Sequence, residues 1–397
     1  MKKIVLFTLA ASTLMQAQHI DLNTIISHVR LHHPNYKALE EESLALVAKA
    51  RAENAREMSA LSLGGARAKT DDGDKAGEYS LGLSTLIDLA NTRGLALESA
   101  DLENEATLLE RQKALFAFGN QLRDLYHQSC LDKAQLEILE RTRDAFERLY
   151  RKKAKAYKYQ EISKKELLQL KLEKALLEQK VASQKRSYTI SKEALLNLTA
   201  MPHVAGSELE CRDLYPIMAS YEIDNEPFIL SNLAFEKRME SLDKKYARNS
   251  VWLEPVELGA TYDDEIDTKR IGAGVSIPLG FTSAKKEQSR IAIMHQKGQL
   301  HFTHQGMILE KSARKKRLEA ELKRDYDKIQ ALDANIATYK EQLMPLVEKS
   351  FQMGESSVIE YLMGRQKLLD ISSELIATKK SYYQNLFTLY TLIETEK

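Results

Sequence analysis

From Asn91 to Tyr157 the chain runs without a proline, and Gly94 and Gly119 are its only glycines there. Good helix formers fill the stretch and nothing in it forces the backbone to turn. At 1.5 Å per residue it predicts one helix of roughly 100 Å. A second stretch, Ser283 to Ser350, is about as long and carries Pro345 near its end, where a kink is expected. Helices of this length exceed what a compact domain encloses, so an elongated assembly follows. Apolar residues recur in Leu102, Leu109 and Phe116, and again in Leu168, Leu172 and Leu176, at the steps of a coiled-coil seam. Beside the second set lies another stripe, Leu167, Leu170, Leu177 and Val181. A helix apolar on two sides suits a sheet or cylinder of helices better than an isolated pair.

Two short windows break the helical pattern. Ten of the 16 glycines lie within 61–94 or 255–280, and both windows alternate apolar with small or polar residues. In the first, Leu61, Leu63 and Gly65 oppose Ser62 and Gly64; after a turn at Thr70 to Lys75, Tyr79, Leu81 and Leu83 oppose Ser80, Gly82 and Ser84. In the second, Val256, Leu258, Ala260 and Tyr262 oppose Glu257, Gly259 and Thr261; past the acidic turn Asp263 to Asp267 come Ile271, Ala273, Val275 and Ile277. Each window reads as a β-hairpin of about ten-residue strands with period two. That length matches a membrane-spanning strand, apolar toward lipid and polar toward a lumen. Four strands cannot close a barrel, and bare edges cannot sit in lipid, so several chains are expected to pool their strands.

The amino terminus supports an extracytoplasmic destination. Lys2 and Lys3 precede the apolar run Ile4 to Leu14, and Met15-Gln16-Ala17 follow, the pattern of a secretory signal over 1–18 with cleavage near Ala17. Beyond it, with 29% of residues charged, no apolar run reaches the roughly 20 residues a membrane helix needs. Cys130 and Cys211 are the only cysteines, so one disulfide is possible and a disulfide framework is not. With 58 basic against 57 acidic residues there is no field for nucleic acid.

The chain also repeats itself. Gly82-Leu-Ser-Thr-Leu-Ile-Asp-Leu89 aligns with Gly274-Val-Ser-Ile-Pro-Leu-Gly-Phe281, and Asn91-Thr-Arg93 with Ser283-Ala-Lys-Lys286. Further on, Tyr157 aligns with Phe351, Glu161 with Glu355, Ser163 with Ser357, Glu166 with Glu360 and Leu168 with Leu362. Each half therefore runs helix, hairpin, very long helix, turn, long return helix. The first repeat covers 19–205, with its hairpin at 61–87 and its helical turn near 157–163. A linker at 206–227 follows, punctuated by Gly206, Pro216 and Pro227. The second repeat covers 228–397, with its hairpin at 255–278 and its turn near 351–357.

At this point the chain resembles the outer membrane efflux protein family of Gram-negative bacteria, the TolC-like exit ducts of tripartite pumps. The opening Leu22-Asn-Thr-Ile-Ile-Ser-His-Val-Arg-Leu-His-His-Pro-Asn35 is similar to the family's first helix. Val275-Ser-Ile-Pro-Leu-Gly280 resembles the exit of its second hairpin, and Phe351-Gln-Met-Gly-Glu-Ser-Ser-Val-Ile-Glu-Tyr-Leu362 its periplasmic turn. The resemblance implies a mainly α fold with a small β part: a long α-helical coiled-coil barrel plus two transmembrane β-hairpins per chain. In a homotrimer those hairpins would form one twelve-stranded barrel in the outer membrane, above a large periplasmic part. It implies a periplasmic adaptor and an inner-membrane transporter of the proton-driven type as partners, no cofactor and no enzymatic activity. The expected role is a passive exit for drugs or metal ions; a periplasmic scaffold without a pore and a type I protein-secretion duct are the alternatives. No nucleophile-base constellation or phosphate loop argues for catalysis.

Under that resemblance, Glu166 and Glu360 occupy the positions of acidic residues just inside the tip, where three copies of each would ring a constriction and favour cations. Gln160, Glu161 and Ser163, with Gly354, Glu355 and Ser357, are the expected adaptor contacts. The same residues also read as plain turns, with Ser163 and Ser357 as N-caps and the two glutamates closing capping boxes. Gln160 departs from the family's usual glycine, so the first turn needs either looser geometry or a non-glycine residue at positive φ. The first hairpin exit also lacks the proline that Pro278 supplies to the second. His295, His301 and His304, like His32 and His33, lack the carboxylate or cysteine that would complete a metal set, and read as helix surface. The basic runs Arg151 to Lys158 and Lys311 to Arg317 read as outer helix faces balanced by nearby acids. Trp252, Tyr79 and Tyr262 fit an interfacial aromatic belt.

Overall fold

The computed structural model describes residues 19–55, 58–69, 73, 75–201, 208–212, 214–220, 227–265, 268–278 and 283–395. The secretory segment 1–18, most of the turn at 70–75, Asp267, Gly206 and Gly280-Phe281 fall outside these residues. In order, the elements are β1 (His19–Ile20), α1 (Leu22–His32), α2 (Pro34–Glu53), β2 (Ala60–Lys69), β3 (Lys75–Ile87), α3 (Thr92–Lys158), α4 (Lys164–Leu198) and β4 (Glu208–Leu209). Then come α5 (Ile229–Ser250), β5 (Val256–Asp264), β6 (Lys269–Ser276), α6 (Ala284–Thr338), a π-helical turn (Tyr339–Leu343), α7 (Met344–Met353) and α8 (Val358–Leu392).

The long helices form where the missing breakers predict them: α3 has 67 residues and α6 has 55. Pro345 acts on the turn before it. Having no N–H to give the carbonyl four residues back, it follows a π turn at Tyr339–Leu343, in which the Met344 N–H donates to the Tyr339 carbonyl. The opening helix is divided in two. His33 leaves helical geometry ahead of Pro34, and Pro34 starts α2 where its missing N–H costs nothing. Asp21 caps α1 by accepting from the Thr24 N–H at 2.6 Å.

The chain forms two compact units, each drawing on both repeats. One comprises Lys37–Ala114 and Glu226–Ala313. It holds an antiparallel sheet of order β2-β3-β5-β6, in which the two predicted hairpins pair through β3 and β5. Beneath the strands, α3 and α5 meet at two buried serines whose small side chains let the backbones approach. Ser99 Oγ donates to the Ser241 carbonyl at 3.1 Å, and Ser241 Oγ to the Ser99 carbonyl at 2.9 Å.

The other unit comprises the chain up to Tyr36, Leu115–Asn225 and Arg314 onward. Its first core joins Ile25, Val29, Leu122, Tyr126, Leu195 and Leu209; its second joins Leu139, Phe146, Leu170, Leu177, Val358 and Leu369. The linker is fastened here. Its residues Glu208–Leu209 pair in parallel with His19–Ile20, and Cys211 forms a disulfide with Cys130 of α3, the one pairing two cysteines allow. Tyrosines and a histidine complete the fastening. The Tyr126 hydroxyl donates to the Glu210 carbonyl, Tyr383 to the Tyr215 carbonyl at 2.6 Å, and Tyr382 both accepts from and donates to the backbone of Met218.

Candidate channel wall and helical turns

Register decides what the sheet can face. Leu61, Leu83, Ala260 and Ala273 form one row across all four strands, and Leu63, Leu81, Tyr262 and Ile271 the next. The alternate rows, on the other face, are Ser62, Gly82, Thr261 and Gly272, then Gly64, Ser80, Asp263 and Arg270. Over these rows, period-two alternation sums to one apolar face and one of small or polar groups; at the hairpin ends Asp264 and Lys269 continue the apolar face, and Leu86 lies on the other. The apolar face is uncovered: Leu63 is 76% and Ile271 86% exposed. Among the described residues β2 pairs only with β3 and β6 only with β5, so both rims keep free backbone groups. A bare apolar sheet with two open rims is unstable in water and intolerable in lipid unless further strands close it. Trp252, Tyr79 and Tyr262 are all exposed. No helix among the described residues is long and apolar enough to cross a membrane.

The two apolar stripes of α4 part ways. Leu170, Leu177 and Val181 are buried in the second core, whereas Leu168, Leu172 and Leu176 are exposed, Leu172 to 64%. The α6 residues Ile291, Met294, Phe302 and Leu309 are likewise exposed.

The turns at the ends of α3 and α7 are near copies. Gln160 sits at φ +63° and Gly354 at +77°, both left-handed. In each turn the following amide reaches back five residues, Glu161 N–H to the Ala156 carbonyl at 3.0 Å and Glu355 N–H to the Ser350 carbonyl at 2.9 Å, the Schellman closure. Gln160 therefore takes the positive φ without loosening the turn. Both return helices open with complete capping boxes: Ser163 Oγ accepts from Glu166 N–H and Glu166 Oε2 from Ser163 N–H at 3.0 Å, and Ser357 and Glu360 repeat the pattern at 2.8 Å. The structure thus brings Gln160, Glu161, Ser163 and Glu166 together, and separately Gly354, Glu355, Ser357 and Glu360. Each glutamate spends a carboxylate oxygen on its own helix start.

A brace beside the second turn carried no sequence signal beyond the aligned Phe351. Phe351 stacks on Tyr361 at 4.6 Å, Lys153 Nζ lies 4.4 Å over the Phe351 ring, and Arg365 lies over Tyr361 while pairing with Glu348 at 2.9 Å. Burial raises the Tyr361 hydroxyl above its usual pKa, keeping it neutral. The linker fastening centres on His127, which no motif announced. Its Nε2 accepts from Tyr215 N–H at 2.9 Å, so Nδ1 carries the proton and donates to the Arg123 carbonyl at 2.7 Å. Burial among Tyr215, Tyr383 and Phe387 pushes its pKa down to about 4 and that of Tyr383 up to about 12.

Two surface expectations are refined. His304 stacks on Phe235 at 4.1 Å, and no group of metal-binding side chains occurs among the described residues. Lys315 and Arg317 pair with Glu319 and Glu321, as expected of a balanced run. Among the described residues the run Arg151 to Lys158 forms an ion pair only at Arg151, with Glu147 at 3.0 Å.

No protein-family model and no curated protein matches the sequence. Solved structures do. The CusC channel superposes with a TM-score of 0.75 at 15% identity, covering 96% of this chain and 95% of that one. The outer membrane protein VceC of Vibrio cholerae gives 0.71 at 15% identity over 94% and 96%, and the open MtrE outer membrane channel of Neisseria gonorrhoeae 0.72 at 14% over 94% and 89%. Sheet, long helices and paired turns together give this chain the fold of the outer-membrane channels.

Proposed function

We propose that the chain is the outer-membrane channel component of a tripartite efflux system. The single observation that carries this reading is the four-stranded sheet, whose middle rows set Leu61, Leu63, Leu81, Leu83, Tyr262 and Ile271 on one exposed face while both rims stay open. Three copies would close a twelve-stranded barrel with the apolar face toward lipid and the Ser, Gly and Thr rows toward a lumen. The exposed Leu176 of α4 and Ile291, Phe302 and Leu309 of α6 would be covered as the helices assemble into a periplasmic tunnel. The turns at Gln160 and Gly354 would surround its inner mouth, with Glu166 and Glu360 as the acidic constriction and a periplasmic adaptor docking on the turns. The neighbours support the reading by their own roles, MtrE and VceC being outer membrane proteins and CusC a transmembrane channel. The duct is passive: drugs or metal ions pass outward when a proton-driven inner-membrane pump and the adaptor engage it.

Planar-bilayer recording of detergent-purified protein tests this. The expected result is trimeric protein giving discrete conductance steps, which rise when Glu166 and Glu360 are both replaced by Gln. A monomer that stays in the soluble periplasmic fraction overturns the proposal. An unchanged trace in the double variant removes the two glutamates from the gate.

A further inference from the structure

The two turns match in backbone and caps but not in charge. Residues 151–171 hold eight Lys or Arg against two Glu, while residues 345–365 hold two against three. Around the first turn Lys152, Lys155, Lys158, Lys164, Lys165 and Lys171 are all exposed, and none has an ion-pair partner among the described residues. Around the second, Arg365 is neutralised by Glu348, leaving exposed Lys349 against Glu355 and Glu360.

The placement of these lysines narrows the partner. Lys152 to Lys158 spread over about 9 Å of α3 and Lys164 to Lys171 over about 10 Å of α4, along the helices rather than in one plane. The exposed Leu168 and Leu172 lie among the α4 lysines. Apolar residues flanked by cations along a helix fit another helix that sets Glu or Asp beside its own apolar positions. A bilayer surface would instead favour cations gathered at the extreme end of the turn.

We infer that the first turn is a docking surface for an acidic, amphipathic helical hairpin, and that the second turn does not share this preference. The inference rests on the channel reading and deepens it: the adaptor sites around the mouth are of two kinds, and only the first-repeat sites select by charge. Unpaired surface lysines act through on-rate and selectivity, and salt beyond the Debye length screens them.

The test uses full-length detergent-purified protein and two synthetic helical hairpins, identical except for Glu or Lys at the loop-proximal surface positions. Phosphatidylglycerol vesicles serve as a third ligand. The Glu hairpin should bind about tenfold more tightly than the Lys hairpin, with the gap shrinking as ionic strength rises. The triple variant Lys155→Glu, Lys158→Glu, Lys164→Glu should reverse the preference, and Glu355→Lys should leave it in place. Equal binding of both hairpins, an unaltered preference in the triple variant, or tighter capture by the vesicles than by the Glu hairpin would overturn the inference. Thermal unfolding confirms that the variants fold. Conductance of the same samples speaks to the channel reading, so a conducting protein without hairpin preference sinks this inference alone.

Discussion

At the scale of single residues, His127 has the clearest energetic signature. It is fully buried, neutral and bonded through both ring nitrogens to main chain. Its folded pKa, about 4, lies below the ordinary 6.5. Between those values the unfolded chain binds more protons than the folded one, so the contribution is fully present above 6.5 and is lost as pH falls toward 4. Urea unfolding at pH 7.5 and 4.5 should show the loss, and His127→Phe should flatten that dependence while lowering stability at neutral pH by about 2 kcal/mol through the orphaned Tyr215 amide. The site was not legible in the sequence. A lone histidine in a helix carries no pattern, and its partners Tyr215, Tyr383 and Phe387 come from distant segments with no shared motif.

At the scale of elements, the turns were legible because their geometry is local. Repeated Ser-x-x-Glu spacing specifies the capping box, and each box forms. Ser163→Ala and Ser357→Ala should each cost about 1 kcal/mol, read as a drop in unfolding midpoint. Positive φ predicts opposite outcomes at the paired positions. Gln160→Gly should stabilise, and Gly354→Ala should destabilise, each by roughly 1 kcal/mol. The fastening of the linker was less legible: two cysteines permit a bond without requiring one, and the tyrosine contacts follow only from the fold. The disulfide spans 81 residues, so Cys130→Ser with Cys211→Ser should cost about 4 kcal/mol on the loop-entropy model, measured by denaturant unfolding of oxidised and mutant protein. Charge at the first turn was visible as a basic run, but that its lysines lack acid partners among the described residues depends on which neighbours fold beside them.

At the scale of the whole molecule, period and register carried most of the information. Alternation located both hairpins and the absence of breakers located the long helices, since both patterns are read within one segment. The meeting of the hairpins through β3 and β5 joins residues as distant in sequence as Tyr79 and Asp264, and only the repeat hinted at it. A charge on the apolar face should therefore be far costlier than one opposite. Ile271→Lys should lose about 2–4 kcal/mol of insertion free energy and deplete the outer-membrane fraction, whereas Thr261→Lys should insert and alter conductance. Membrane fractionation with bilayer recording separates the two.

The free margins of β2 and β6 bear on the protein's life before it reaches any membrane. A solitary copy carries two ladders of unanswered amides and carbonyls, ready to zip onto whatever strand arrives first. Under the proposed trimer, assembly would be a race between sister copies and strangers, and an escort shielding those margins would favour the siblings.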